Sequence, residues 1–250
     1  VRTDMGAPLG FPYEDAVAVQ VKAAREYARA VDGVELEIKG LPRGVSVAAS
    51  GRDRGAMKAA MNGAQEAADE AFARYLDKHR WVERNNKLQP DHARLVNDYA
   101  DDLAPLAEAL ARGLDLADPE DQRSFVRRSL CFVQSIPYEK KQRGKTYRGY
   151  RRPLAVLAAQ KGDCDSKSVL YLAILRAAMP DVPLAVLYIP NHAFVAVGLD
   201  RQKGDLSVRV DGDRLVVAEP VGPARTAFGD TGKRSKAHVR GGLARKVAVP

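Results

Sequence analysis

The chain contains only two cysteines, Cys131 and Cys164, in 250 residues. Two cysteines are too few for the disulfide framework that stabilises small secreted domains, although one bridge could still form. The chain has no CxxC pair, and its four histidines are scattered along the sequence, which argues against a structural zinc site. We therefore expect neither a metal ion nor an organic cofactor.

Long apolar runs and an initiator Met are also missing. The longest apolar stretches, at 169–179 and 194–199, are interrupted by polar groups and fall short of the ~18 residues that a membrane helix needs, so no membrane span is expected. The chain begins with Val1 and shows no basic start followed by an apolar run, as a signal peptide would. The missing Met slightly favours a processed bacterial protein that is periplasmic or secreted.

Positive charge is abundant and unevenly placed. The formal charge is +8, and seven Lys or Arg lie between Lys140 and Arg152, with seven more between Arg225 and Lys246. Such runs are usually solvated, but beside a cleft they would attract an anionic protein or peptide substrate. Tyrosines at 138, 147 and 150 interleave with the first run, a pattern that superficially suits nucleic acid. We expect a solvated loop there rather than a nucleic-acid site.

Helical patterns come first along the chain and strand patterns last, which indicates an α+β fold. Apolar spacing predicts helices over 14–30, 53–81, 91–112 and 118–135, with a hairpin at 34–49, and a strongly apolar helix over 165–178. Alternating or continuous apolar segments predict strands at 184–190, 192–199, 206–210 and 214–220. We therefore divide the chain into a helix-rich N-terminal region with the hairpin (1–113), a core (114–225) and a basic C-terminal tail (226–250).

Cys164 lies where the apolar helix is predicted to begin, directly after Asp163 as a plausible N-cap. The positive end of a helix favours a thiolate, so we expect the Cys164 pKa to fall below its usual ~8.5. His192 opens a strand and is suited to accept the thiol proton. Glu219 ends a later strand and could orient the imidazole through its other nitrogen. Cysteine, histidine and acid in this order satisfy the requirements for a nucleophile, a base and an orienting group.

This grouping depends on how the strands pair. In a plain meander, His192 and Glu219 would lie at opposite ends of the sheet, and Asp211 or Asp213 would become the orienting acid, or the site would be a dyad. We expect instead that the strand ending at Glu219 pairs directly and antiparallel with the strand beginning at His192. The segment 200–214 is then an inserted excursion.

The motif GDCDSKS at 162–168, between a Pro-containing segment and an apolar helix, resembles the nucleophile region of the bacterial transglutaminase-like superfamily. NHAFVAVG at 191–198 resembles that family's His-Ala-Trp-Val strand. AEPVG at 218–222 resembles its third element, with Glu for the commoner Asp and Val221 for the usual Thr. The resemblance covers roughly 122–222, and it implies a papain-like core of helices packed on an antiparallel sheet, with Cys164, His192 and Glu219 as the triad.

The segment FVQSIPYE at 132–139 also resembles the family's chain ahead of the nucleophile. It implies that Gln134 or Tyr138 helps to hold the oxyanion, beside the backbone N–H of Cys164. The implied chemistry is acyl transfer from an amide through a thioester, with hydrolysis by a peptidase or amidase favoured over protein cross-linking. A related cell-wall amidase type carries Asp-Cys-Ser-Gly, whereas this chain has Asp-Cys-Asp-Ser.

Simpler interpretations compete with catalysis. A free cysteine is most often a core residue, but the polar neighbours Asp163, Asp165 and Lys167 make that a poor description of Cys164. The main alternative is a catalytically silent interaction protein that kept the fold, and a basic nucleic-acid binder is another. We expect Cys131 in the core and the histidines other than His192 at the surface.

Overall fold

The computed structural model describes residues 11–84, 87–139, 150–222 and 224–250. These residues form two compact units, one over Phe11–Pro90 and the other over Asp91–Pro250. Each unit combines helices with antiparallel strands, so the predicted α+β class is confirmed.

The first unit is a pair of helices packed on the predicted hairpin. Its small core is formed by Ala24, Ile38, Ala64 and Ala68, whose short side chains allow the two helices to approach each other closely. The helix α2 is capped by Asp53, whose carboxylate accepts the backbone N–H groups of Gly55 and Ala56. The elements are α1 (Tyr13–Ala28), β1 (Val34–Leu41), β2 (Gly44–Gly51), α2 (Arg54–His79), β3 (Trp81–Arg84) and β4 (Lys87–Pro90).

The second unit contains all the residues of the predicted site. Its helices are α3 (His92–Asp98), α4 (Ala100–Ala111), α5 (Pro119–Ser135), α6 (Pro153–Ala159), α7 (Cys164–Ala178) and α8 (Lys233–Arg240). Its strands are β5 (Leu184–Ile189), β6 (His192–Val197), β7 (Ser207–Val210), β8 (Asp213–Ala218) and β9 (Arg245–Ala248).

The unit boundary differs from the division made at residue 113. The helices α3 and α4 replace the single helix expected over 91–112, and both pack against α7. Leu95, Val96, Tyr99 and Leu103 are buried in the same core as α7. The apolar stripe that predicted the helix therefore belongs to the unit with the site.

The five strands of the second unit form one antiparallel sheet in the order β7-β8-β6-β5-β9. The strand β8 pairs directly with β6, with Val195 opposite Ala218, which is the arrangement that brings Glu219 towards His192. The strand β7 lies at the edge, as part of the excursion between β6 and β8. The segment 226–250 is not a separate tail, because its strand β9 pairs with β5 and completes the sheet.

Both faces of this sheet are covered. On one face, α7 packs with its residues from Val169 to Leu175 almost completely buried, against alternate strand residues such as Val195 and Val216. On the other face, the intervening residues Phe194 and Val217 pack with Val239 of α8. Burying a side chain of leucine size contributes ~2 kcal/mol, so α7 is fixed firmly and its first residue is held in place. No helix within the described residues is long and apolar enough to cross a bilayer.

Candidate active site

Cys164 is the first residue of α7, and the helix start is built as its sequence predicts. The Asp163 carboxylate accepts the backbone N–H of Ser166 at 3.0 Å and the Ser166 hydroxyl at 2.6 Å. The Ser166 hydroxyl oxygen in turn accepts the backbone N–H of Arg151 at 2.8 Å. This buried chain of hydrogen bonds fixes the turn that presents Cys164.

The electrostatic expectation for the thiol is wrong. Cys164 is only 4% exposed, and burial together with Asp165 raises its pKa to about 12, with Asp163 acting in the same direction. The backbone N–H groups of Ala193 and Asp165 oppose this rise without cancelling it. The favourable field of the helix N-terminus is outweighed because two carboxylates flank a desolvated sulfur. The resting group is therefore a thiol, and it needs a base.

His192 begins β6 immediately after a tight turn at Pro190 and Asn191. Asn191 adopts a left-handed conformation with φ of 60°, which asparagine tolerates, and His192 pairs with Ile189 across the turn. Arg234 donates to the Pro190 carbonyl oxygen at 2.9 Å and so braces the turn from α8. The imidazole stacks on the Phe194 ring with centroids 5.8 Å apart.

The structure brings His192 and Glu219 together. His192 Nε2 lies 2.9 Å from Glu219 Oε2, and the Glu219 side chain is 8% exposed. Asp211 lies in the turn between β7 and β8, and Asp213 begins β8 at the end away from Glu219. Glu219 is therefore the acid that the fold brings to His192, whereas Asp211 and Asp213 lie at the other end of β8.

A backbone group next to His192 shows that the Cys164 sulfur lies near the start of β6. The backbone N–H of Ala193, the residue after His192, acts on the Cys164 sulfur and lowers the thiol pKa, and the thiol faces the Asp165 carboxylate with Sγ 3.8 Å from Oδ1. In the described part of the chain, no hydrogen bond joins the sulfur directly to the imidazole. Because Nε2 is engaged by Glu219, Nδ1 is the ring nitrogen that remains to accept a proton.

Glu219 is held from three sides, partly by a residue that the sequence did not single out. The Thr231 hydroxyl donates to Oε2 at 2.9 Å, and the Val221 backbone N–H lies 3.4 Å from Oε1. The Gln134 amide donates to the Glu219 backbone oxygen at 2.9 Å. Thr231 comes from the segment regarded as a basic tail, and no pattern in the sequence marks it.

The two residues expected to bind the oxyanion, Gln134 and Tyr138, make different contacts. Gln134 Nε2 bonds both the Glu219 oxygen and the Thr226 oxygen, at 2.9 and 2.8 Å, so its two amide hydrogens are occupied. Its assignment as an oxyanion donor is wrong, and its role is to hold Glu219. Tyr138 forms a backbone bridge with Gly162, two residues before Cys164, and is half-buried. Its role as an oxyanion donor stays a prediction.

Lys167 lies beneath this network and is fully buried. Its ammonium donates to the Ile136 carbonyl oxygen at 2.7 Å. Burial lowers the pKa of Lys167 to about 8, and Glu219 is the charged group that opposes the shift. An ammonium with no ion pair within the described chain is costly to bury, and here it lies beside the orienting carboxylate.

Three residues differ in burial from what the sequence predicts. Cys131 is exposed rather than buried, because the core-facing positions of α5 are its neighbours Leu130 and Val133. His92 is buried at 4% exposure, with Nδ1 2.7 Å from the Tyr188 hydroxyl. Tyr150, expected in a solvated loop, is also buried and packs on the His92 ring, while residues 140–149 of that loop lie outside the described part.

The described residues contain no group of three or more His, Cys, Asp or Glu that could hold a metal ion. Comparison of the chain with protein-family models, with curated proteins and with solved structures gives no match. The function is therefore inferred from the geometry around Cys164, His192 and Glu219.

Replacing Thr231 by Val tests how Glu219 is held. The change keeps the shape of the side chain but removes the hydrogen bond to Oε2. We expect the rate of Cys164 alkylation by iodoacetamide at pH 7 to fall about fivefold, equivalent to a lost hydrogen bond of about 1 kcal/mol. Thr226→Val is the matched control, because Thr226 bonds Gln134 through its backbone oxygen. Equal rates in both variants would contradict the role assigned to Thr231.

Proposed function

We propose that this chain is a cysteine-dependent acyl-transfer enzyme of the transglutaminase-like, papain-fold kind, acting on amide bonds of a protein or peptide. The observation that carries the proposal is the contact of 2.9 Å between His192 Nε2 and Glu219 Oε2, beside a cysteine at a helix start. A histidine oriented by a buried carboxylate and adjacent to a thiol is the arrangement that nucleophilic catalysis requires.

The chain's own residues account for each proton in the reaction. His192 Nδ1 takes the thiol proton while Glu219 stabilises the imidazolium through Nε2, and the sulfur attacks the amide carbonyl carbon. The carbonyl oxygen becomes an oxyanion that the backbone N–H of Cys164 can bind. As the C–N bond breaks, the imidazolium proton passes to the leaving amine, and a thioester remains on Cys164.

The acceptor then determines the product. When water attacks the thioester, His192 takes its proton, the C–S bond breaks, and a carboxylic acid leaves with the thiol restored. A lysine amine in place of water would give a cross-link. We favour hydrolysis, as the resemblance to bacterial members of the superfamily implies.

Acylation by p-nitrophenyl acetate tests the proposal without knowledge of the substrate. We expect one acetyl group on the Cys164 peptide by mass spectrometry after rapid acid quenching, with release of nitrophenolate. Cys164→Ser should lose the fast phase, and Cys131→Ser should keep it, because Cys131 is a solvent-exposed thiol on α5, a helix that carries none of Cys164, His192 and Glu219. Acetylation confined to Cys131 would instead favour the alternative of a silent interaction protein.

A further inference from the structure

A basic cavity of about 580 Å³ lies at the edge of the sheet, between the loop before β7, the start of β8 and α8. Five cationic side chains line it: Arg201, Lys203, Arg214, Lys236 and Arg240. Only two carboxylates, Asp205 and Asp230, share the lining. The chemistry proposed at Cys164 makes no use of this cavity.

Both carboxylates are already engaged. Asp205 forms a bidentate ion pair with Arg123 at 2.8 and 2.9 Å, and the two side chains are 8% and 4% exposed. Asp230 pairs with Lys236 at 2.6 Å. Arg240 also acts electrostatically on Asp230, so Arg201, Lys203 and Arg214 are the lining cations that pair with no carboxylate among the described residues.

The cavity wall is rigid rather than a loose surface loop. The buried Asp205 also accepts the backbone N–H of Gln202 at 2.8 Å, which fixes the turn that carries Arg201 and Lys203. Gly229 packs against Asp205 so closely that a Cβ atom would lie 2.1 Å from Oδ1, and its φ of +87° suits glycine. The cationic groups are thus presented on a preorganised frame.

The β7–β8 hairpin also brings two positive charges together. Arg209 and Arg214 stand directly opposite each other in the antiparallel register. Like charges in this position destabilise a hairpin. Isolated exposed lysines and arginines are usually only solvated. A rigid concave cluster is more costly when one of its arginines, Arg214, also stands opposite Arg209 of the neighbouring strand, unless an anion offsets the repulsion.

We infer that this cavity is a binding site for a small multivalent anion of the phosphate class, such as an oligophosphate or phosphate ester. Arginine guanidinium groups match phosphate oxygens in a bidentate geometry, and lysine adds point charge. Phe228, the aromatic side chain among the described lining residues, is only 5% exposed and has the Arg123 guanidinium over its ring at 4.9 Å, so it offers no open face for a nucleobase. Recognition therefore rests on the phosphates.

Calorimetric titration with inorganic triphosphate at constant ionic strength tests this inference. We expect saturable binding at one site per chain, weakened at least tenfold by Lys203→Glu and by Arg214→Glu, and weakened also by added salt. Lys58→Glu is the matched control, because Lys58 is an exposed lysine on α2 of the other unit. It should bind as the parent does.

Both test substitutions fall on exposed side chains, so the variants should fold, and Arg214→Glu places an acid opposite Arg209. Thermal melting verifies folding before titration. Absence of saturable triphosphate binding by the parent would overturn the inference. Equal losses in Lys203→Glu and Lys58→Glu would also overturn it, since they would reflect net charge alone.

Discussion

Replacing the buried Lys167 by Met should make the protein more stable, although it removes a hydrogen bond. Burial lowers the Lys167 pKa from 10.5 to about 8, so at neutral pH the folded state carries an ammonium that it solvates poorly. A shift of this size corresponds to a cost on the order of 3 kcal/mol. Met fills nearly the same volume without a charge. In the Met variant the Ile136 carbonyl oxygen loses its hydrogen bond, which offsets about 1 kcal/mol of the gain in stability.

The pH dependence of this effect follows from the direction of the shift. Because the folded pKa is depressed, the unfolded chain binds more protons between about pH 8 and 10.5, and the parent's free energy of unfolding rises with pH in that window. The Met variant lacks this rise. Denaturant unfolding should therefore show the largest gain from Lys167→Met below pH 8 and a shrinking gain towards pH 10. A variant less stable than the parent at pH 7, or a gain independent of pH, would contradict this account.

The same substitution should slow the chemistry. The positive charge of Lys167 interacts electrostatically with Glu219, and the Met variant loses this interaction. We expect acylation of Cys164 by p-nitrophenyl acetate to fall about tenfold, or 1.4 kcal/mol. Lys58→Met, at an exposed position, should change neither stability nor rate. A variant that is more stable but slower would show that Lys167 supports the reaction at a cost in stability.

The second large effect is expected from His192→Ala. With the Cys164 pKa raised to about 12, only about one thiol in 10⁵ would be ionised at pH 7 without a base. We expect acylation of Cys164 at pH 7 to fall by about 10²–10⁴-fold, the usual contribution of general base catalysis. The rate should recover as pH rises, because hydroxide replaces the imidazole as the base.

His238→Ala is the matched control for that experiment. His238 lies on α8, and its Nδ1 is 2.9 Å from the Arg234 carbonyl oxygen within the same helix. Its removal should leave the rate of acylation within a factor of about two, as for most surface substitutions away from a site. A His192→Ala variant that acylates as fast as this control would remove His192 from the mechanism.

The parts of the site that follow from local sequence were predictable. Asp163 caps α7, Cys164 begins it, and the strand pattern at 192–199 and 214–220 allowed one pairing that joins His192 to Glu219. These inferences need only the helix and strand periods and the antiparallel register. The thiol pKa was not predictable, because it depends on burial and on the carboxylates of Asp163 and Asp165 acting together.

The supporting residues depend on contacts between distant parts of the chain. Thr231 meets Glu219 because the nearby Gly229 exchanges backbone hydrogen bonds with Leu206 and Val217, and Gln134 meets it because α5 packs against α7. These segments pack closely at Gly222, where a Cβ atom would lie 2.4 Å from the backbone oxygen of Gln134. The polar residues Asp163 and Lys167 predict a solvent-exposed turn around Cys164, and that prediction is wrong, because packing by distant segments of the chain buries both side chains.

The most direct test of the central claim is the rate of iodoacetamide alkylation at Cys164 from pH 5 to 9, with the exposed Cys131 as internal reference. Peptide mapping gives both rates in one sample. The account predicts that Cys164, despite its burial, reacts faster than Cys131 below pH 8, since proton transfer to His192 generates its thiolate. If Cys164 reacts no faster than Cys131 at any pH in this range, its thiol has no functioning base, and the acyl-transfer proposal fails.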